Sequence, residues 1–259
     1  MTDLTFDDPC ILFALRRECR FFLREFRPQQ RFWGAPCWAR FCGPAWLSVL
    51  TLQTGMGQAR TEAALDWILG QPLMGGVPYR PKLVLSAGFS GALQEEFQVG
   101  DIILATEVAS GDGKSWPATW PAENPAGEWR PRLHHGRLLS VRALISSPEE
   151  KEALGHAHQA AAVDMETAAV ARLCRKRDVP FGCVRVILDD LHTPLSSRLV
   201  SLVSGGRVSP LRALTALVCS PNLGAEFRRL ARQSRFAAEQ LGKALGELLT
   251  LTLPWGADL

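Results

Sequence analysis

Short, continuously apolar runs alternate along this chain with stretches in which apolar residues recur at helical spacing. Ile11 to Leu15 is the first such run, and an amphipathic segment follows from Arg16 to Phe26. Trp46 to Leu52 is apolar and partly β-branched and stops at Gly55, which predicts a strand. Gln58 to Leu69 carries Ala and Leu at helical spacing and predicts a helix. Lys82 to Ala87 reads as a strand ended by Gly88 and Gly91, and Asp101 to Val108 as another, preceded by the turn glycine Gly100. Further strands are expected over Arg137 to Val141, Ala160 to Met165 and Pro180 to Leu188, with a helix over Glu166 to Arg177. Runs that are apolar throughout belong to a sheet covered on both faces. Strands separated by helices then give a three-layer α/β/α sandwich with a central mixed sheet. At 259 residues this is one domain, 1–259, with a core that needs no staples.

Two stretches break the alternation. Ala109 to Arg132 holds Gly, Pro, Asn and the tryptophans Trp116, Trp120 and Trp129, with no visible period. It reads as a long loop, and long loops in compact domains are usually functional. Residues 209–250 read as helical, two helices divided at Ser220-Pro221-Asn222.

Composition narrows the class. A net charge of +3 is too small to imply a nucleic-acid partner. The run Arg16, Arg17, Arg20, Arg24 and Arg27 reads as a solvated helix face. Seven cysteines, an odd number without a Cys-x-x-Cys pair and mostly inside apolar runs, read as reduced core residues of a cytoplasmic protein. The N-terminus has no signal-peptide pattern, and no apolar stretch reaches the roughly 18 residues of a membrane span. His156-x-His158 and His134-His135 lack an evident third ligand and are read as surface-loop residues. Neither a Walker loop nor Gly-x-Gly-x-x-Gly occurs, so no nucleotide cofactor is indicated and a dinucleotide-binding dehydrogenase is disfavoured.

Four segments, spanning Ala14 to Asp189, carry the chemistry: Ala14-Leu15-Arg16-Arg17-Glu18; Gly88-Phe89-Ser90-Gly91-Ala92-Leu93 with Val99-Gly100-Asp101-Ile102-Ile103; Val163-Asp164-Met165-Glu166 before an Ala-rich helix; and Arg185-Val186-Ile187-Leu188-Asp189. In this order the chain resembles the purine nucleoside phosphorylase and 5'-methylthioadenosine/S-adenosylhomocysteine nucleosidase superfamily. The resemblance implies the phosphorylase/hydrolase-like fold and cleavage of a purine–ribose bond. It implies Asp189 as the general acid at the leaving purine and Glu18 as the group that activates water. It further implies Glu166 on the ribose hydroxyls, Met165 packed on the sugar, and Arg185 positioning the sugar or the carboxylates. Gly88, Phe89, Ser90 and Gly91 would approach the ligand, while Leu144 and Ile145, in Ser140-Val141-Arg142-Ala143-Leu144-Ile145, would flank the base. A small-molecule nucleoside is thus the expected partner, with a homo-oligomer expected by resemblance alone.

These residue types suit the chemistry. Breaking an N-glycosidic bond needs an acid at the base and a nucleophile at the anomeric carbon, and an acid working near neutrality needs a raised pKa. An ionised carboxylate, an acceptor only, takes bonds from two neighbouring hydroxyls. No metal or cofactor is required, although phosphate is a co-substrate if the enzyme is a phosphorylase. Phosphorylases of the superfamily carry an arginine just before the Gly-rich loop, where this chain has Leu85-Ser86-Ala87, which favours water. Phe89, Leu144 and Leu188 depart from the methylthioadenosine enzymes by making the pocket more apolar. The Gly-Phe-Ser-Gly segment and the helical C-terminal part resemble the hopanoid-associated branch, which acts on adenosylhopane, and Trp116, Trp120 and Trp129 are candidates for lining a 5' channel, for an oligomer interface or for core packing. Three readings follow: a nucleosidase for 5'-modified adenosines, a phosphate-dependent phosphorylase, or a nucleoside-binding sensor without catalysis.

Overall fold

A computed structural model of the chain describes residues 7–32, 37–43, 48–70, 78–121, 131–194 and 221–252. The elements run β1 (Cys10–Phe13), α1 (Phe22–Glu25), β2 (Pro28–Phe32), β3 (Trp38–Cys42), β4 (Val49–Gln53), α2 (Gln58–Gly70), β5 (Val84–Ala92), β6 (Ile102–Ser110) and β7 (Ser115–Pro117). They continue with β8 (Leu133–Ser140), α3 (Pro148–His158), β9 (Ala162–Asp164), α4 (Thr167–Arg177), β10 (Phe181–Asp189) and α5 (Pro221–Thr252). No helix among the described residues is long and apolar enough to cross a membrane.

The sheet is mixed, as expected, and runs β10-β6-β8-β9-β5-β1-β4-β3-β2. An additional β10–β5 pairing closes β5, β10, β6, β8 and β9 into a ring from which the remaining strands extend. Strand β5 is parallel to both β1 and β10, with Val84 opposite Cys10 and Phe181. Alternate residues of these strands face two helical layers. Leu12, Leu50, Leu52 and Cys183 pack with Ala64, Leu65 and Ile68 of α2 and Ala171 and Leu173 of α4. Ile11, Phe13, Leu85, Val184 and Val186 pack on the opposite face with Phe22 of α1 and Leu241, Leu245 and Leu248 of α5. Gly242 lets α5 press against α1, since a Cβ there would lie 2.9 Å from the Phe21 Cβ and the Phe22 nitrogen.

Several elements differ from the expectation. The segment after β1 is mostly turns, with only Phe22–Glu25 helical, because the chain folds back to bring Glu18 inward; all five arginines of this run are exposed. Strand β5 continues through Gly88 and Gly91 rather than stopping there. The stretch after Val108 contains β7, and Trp120 is buried against Gly182, where a Cβ would sit 2.9 Å from the indole. Trp129, Cys219, residues 209–220 and the start of the expected 46–52 strand lie outside the described residues, and Pro221 opens α5. His156 and His158 lie on α3, not in a loop, and His134 and His135 lie on β8. The six described cysteines are buried and unpaired to each other.

Candidate active site

Parallel strands β1, β5 and β10 end at one edge of the sheet, where ligands bind in open α/β folds. A cavity opens there. It is lined by Glu18, Phe89, Ser90, Gly91, Leu144, Ile145, Met165, Glu166 and Asp189, together with Ala14, Leu15, Met56, Val141, Ala143, Val163, Asp164 and Leu188. Of the catalytic and substrate-binding residues expected from the four segments and from Leu144-Ile145, Gly88 and Arg185 are missing from that wall.

Glu18 sits in the turn after β1. Its Oε2 accepts the Leu15 N–H at 2.7 Å and its Oε1 accepts the Phe89 N–H of β5 at 3.0 Å. Burial raises its pKa, while the Phe89 N–H and the charge of Arg185 pull it back. Glu166 stands at the N-cap of α4, yet its side chain makes no capping bond. It reaches instead to Gly57, whose N–H donates to Oε1 at 2.8 Å. Gly57 holds φ +96° at the entry to α2, a left-handed conformation suited to glycine. Asp164 does the capping, accepting from the Thr167 N–H at 3.0 Å and from its hydroxyl. Burial first, and the neighbouring Asp164 second, push Glu166 up to about 7.

Arg185 lies behind the wall. It is 2% exposed, pairs with Asp164 at 2.6 Å and donates to the hydroxyls of Ser86, at 2.7 Å, and Thr167. Of the two roles the sequence suggests for it, contact with the sugar is not what this geometry offers; its guanidinium orders carboxylates. Gly88 likewise faces inward. A Cβ on it would collide with the Arg185 guanidinium and lie 2.8 Å from Glu18 Oε1, so its glycine clears space for side chains rather than for a turn. Gly91 plays the same part for Asp189, whose Oδ2 would be 3.2 Å from a Cβ there.

Asp189 closes β10, paired with Gly91 across a register shift that follows Ile187. Its carboxylate bonds to the ammonium of Lys151, a fully buried residue of α3 whose Nζ also donates to the Asp190 carbonyl at 2.7 Å. Burial raises the Asp189 pKa and Lys151 lowers it. Neither Lys151 nor Asp164 follows from the sequence reading as a site partner. A signal for α3 does exist: Ser147-Pro148-Glu149-Glu150 has an N-cap serine, proline at the first position and acids in the first turn. Recognising that helix would have put Lys151 on a defined face. Of the tryptophans, Trp116 and Trp120 do not line this cavity. No group of three or more His, Cys, Asp or Glu among the described residues is placed to hold a metal ion.

The comparisons with known proteins agree with this architecture. The 5'-methylthioadenosine/S-adenosylhomocysteine nucleosidase of Staphylococcus aureus strain MRSA252 is 22% identical over 191 residues, covering 66% of this chain and 81% of the relative. The nucleosidase of the same name from Helicobacter pylori superposes with a TM-score of 0.66 at 18% identity, over 95% of this chain and 99% of that one. The Arabidopsis thaliana 5'-methylthioadenosine nucleosidase gives a TM-score of 0.68 at 15% identity, over 99% and 100% of the two chains. At such identities the solved structures establish the shared fold. The model of the phosphorylase superfamily matches residues 45–203, more than half of the sequence, and by that match the chain belongs to the phosphorylase superfamily.

Proposed function

We propose that the chain is a purine nucleosidase that hydrolyses the N-glycosidic bond of adenosine-type nucleosides carrying an apolar 5' group. The observation that carries this reading is the wall of the cavity. Glu18, Glu166 and Asp189 face one space from three different elements, and no Lys or Arg is among the described residues lining it. A phosphate dianion would meet carboxylates there without a cation, whereas a water has an acceptor in Glu18. Asp189 then protonates the departing purine, Glu18 orients and deprotonates the water, and Glu166 accepts from the ribose hydroxyls. Met56, Phe89, Val141, Leu144, Ile145 and Leu188 make the remaining wall apolar, which favours a hydrocarbon substituent over a polar one. Adenosylhopane is one member of that substrate class. The nucleosidase relatives weigh in the same direction.

The test is to incubate the protein with adenosine, inosine, 5'-methylthioadenosine and a 5'-alkyl adenosine, with and without phosphate, and to quantify free base and sugar product. Base release with free ribose sugar in phosphate-free buffer, fastest for the 5'-alkyl compound, is expected. Release only with phosphate, giving a sugar 1-phosphate, would make it a phosphorylase. Tight binding with no release from any compound would make it a sensor.

A further inference from the structure

Lys151 is the one fully buried lysine among the described residues, and the hydrolytic scheme above gives it no task. It projects from α3 behind the cavity, and among the described residues its ammonium bonds to the Asp189 carboxylate and to the Asp190 carbonyl. A buried ammonium is costly unless paired, and Asp189 is its partner. Such a pair is an awkward arrangement for an acid that must present a proton, because the ammonium favours the ionised carboxylate. The conflict disappears if the proton is shared.

Building on the nucleosidase reading, we propose that Lys151 is a positioning residue that holds the transferable proton for Asp189 and resupplies it during base departure. The balance is simple. As the C1'–N9 bond breaks and its electron pair moves to the purine, Asp189 delivers a proton to the base. The Lys151 ammonium passes one of its own to the Asp189 carboxylate and becomes an amine. Water adds to C1' and its proton goes to Glu18, and the next substrate meets the pair once solvent has returned a proton from Glu18 to Lys151. No oxidant or further reactant enters. The pair, rather than Asp189 alone, sets the pH at which the acid fails. Other charged groups bear on it: Asp190 beside Asp189 raises the carboxyl, and Arg229 of α5 lowers it. Glu18, Asp164 and Glu166 face the same cavity.

The experiment is the pH profile of kcat/KM for the full chain and for Lys151→Met and Lys151→Arg. Two substrates are compared: a purine nucleoside, and p-nitrophenyl β-riboside, whose leaving group needs no proton. With the purine substrate, wild type should stay level above neutrality into mild alkali. Lys151→Arg, whose guanidinium keeps the charge but gives up no proton, should lose rate across that range, and an arginine variant as fast as wild type would overturn the proposal. Lys151→Met should fall about tenfold per pH unit above the pKa of its isolated Asp189. With the riboside, all three should give parallel profiles. A Lys151→Met profile that is merely scaled down, equally on both substrates, would overturn the proposal, as would one identical to wild type. If Lys151→Met does not fold, the wild-type profile decides alone: a purine rate that already falls across neutrality, with a level riboside rate, overturns it. Absence of base release by wild type at every pH would instead sink the nucleosidase reading itself.

Discussion

Replacing Gly88 by alanine separates two explanations of a glycine-rich segment. If Gly88 served a turn, or mere chain flexibility, alanine in an extended strand would be tolerated. It would even stabilise the fold by about 0.4–1 kcal/mol through the unfolded chain. The structure argues otherwise, because the added Cβ meets the Arg185 guanidinium and lies 2.8 Å from Glu18 Oε1. Neither group is a free end: Arg185 is 2% exposed and held by Asp164, Ser86 and Thr167, and Glu18 is held by two backbone N–H groups. Overpacking of this kind costs about 1–3 kcal/mol. Partial loss of the buried Arg185–Asp164 pair draws on a further 3–5 kcal/mol available when such a pair is broken, at roughly that magnitude. A net loss of about 3 kcal/mol follows after the unfolded-state gain is subtracted. At about 2–4 °C per kcal/mol for a chain of this size, the melting temperature should drop by roughly 6–12 °C. Displacing Glu18 by a fraction of an ångström should also lower kcat/KM by about 10²-fold. Thermal unfolding by circular dichroism and base release by absorbance read the two effects. Gly57→Ala is the contrast, since its Cβ meets nothing within 4 Å and only the positive φ is strained, at about 1–2 kcal/mol. A Gly88→Ala protein that melts at or above wild type would refute the reasoning.

Other expectations follow from the same geometry. Glu18→Gln and Asp189→Asn should each reduce kcat for nucleoside hydrolysis by about 10²–10⁴-fold in single-turnover assays, and unchanged turnover in both would remove their assigned roles. In its proposed role Glu166 holds both ribose hydroxyls best as a carboxylate, an acceptor only, and its pKa is pushed up to about 7. Protonation on the acid side therefore costs binding: kcat/KM should rise with pH through about 7 and level off above it, whereas a flat profile from pH 5 to 9 would contradict the role. Asp164→Asn strips the counter-ion from buried Arg185 and weakens the α4 cap, so urea unfolding should show a loss of about 3–5 kcal/mol; an unmoved midpoint would mean the guanidinium does not depend on that pair.

Much of the fold was legible because buried parallel strands write themselves as continuous apolar runs. Val84 onward, Ile102 onward and Phe181 onward are such runs, and each strand begins close to its expected start, although β5 runs on past its expected end. The β2–β3 hairpin was not, because edge strands carry mixed residues, as in Pro28-Gln29-Gln30-Arg31-Phe32, and leave no single-period signal. Ring closure by β5 and β10 was equally silent, since register between distant strands is not a local property. At the site, the side chains that touch the cavity came through their motifs. Those that act behind it did not. Arg185 was visible as a charge in an apolar strand, but its partner Asp164 looked like one more residue of the Val163-Asp164-Met165-Glu166 segment, and Lys151 lay in a stretch between two expected strands to which no element was assigned.

That hidden layer decides the electrostatics. Glu18, Asp164, Glu166 and Asp189 are all buried and all line one cavity, while the cations Arg185 and Lys151 stand behind it. Four ionised carboxylates against two cations would leave two uncompensated charges in a desolvated space, which is far more costly than taking up a proton. Asp164 is the acid in direct contact with Arg185 and with a helix N-terminus, two partners that favour negative charge. Glu166, without a direct cation contact, is the one lifted to about 7. Glu18 and Asp189 are each raised by burial and each pulled back by cations, Arg185 for the first and Lys151 with Arg229 for the second. The division gives an apolar cleft one carboxylate tied to a buried cation, one poised near neutrality and two in which burial and a cation oppose each other, and the proposed acid–base cleavage of a nucleoside draws on that set.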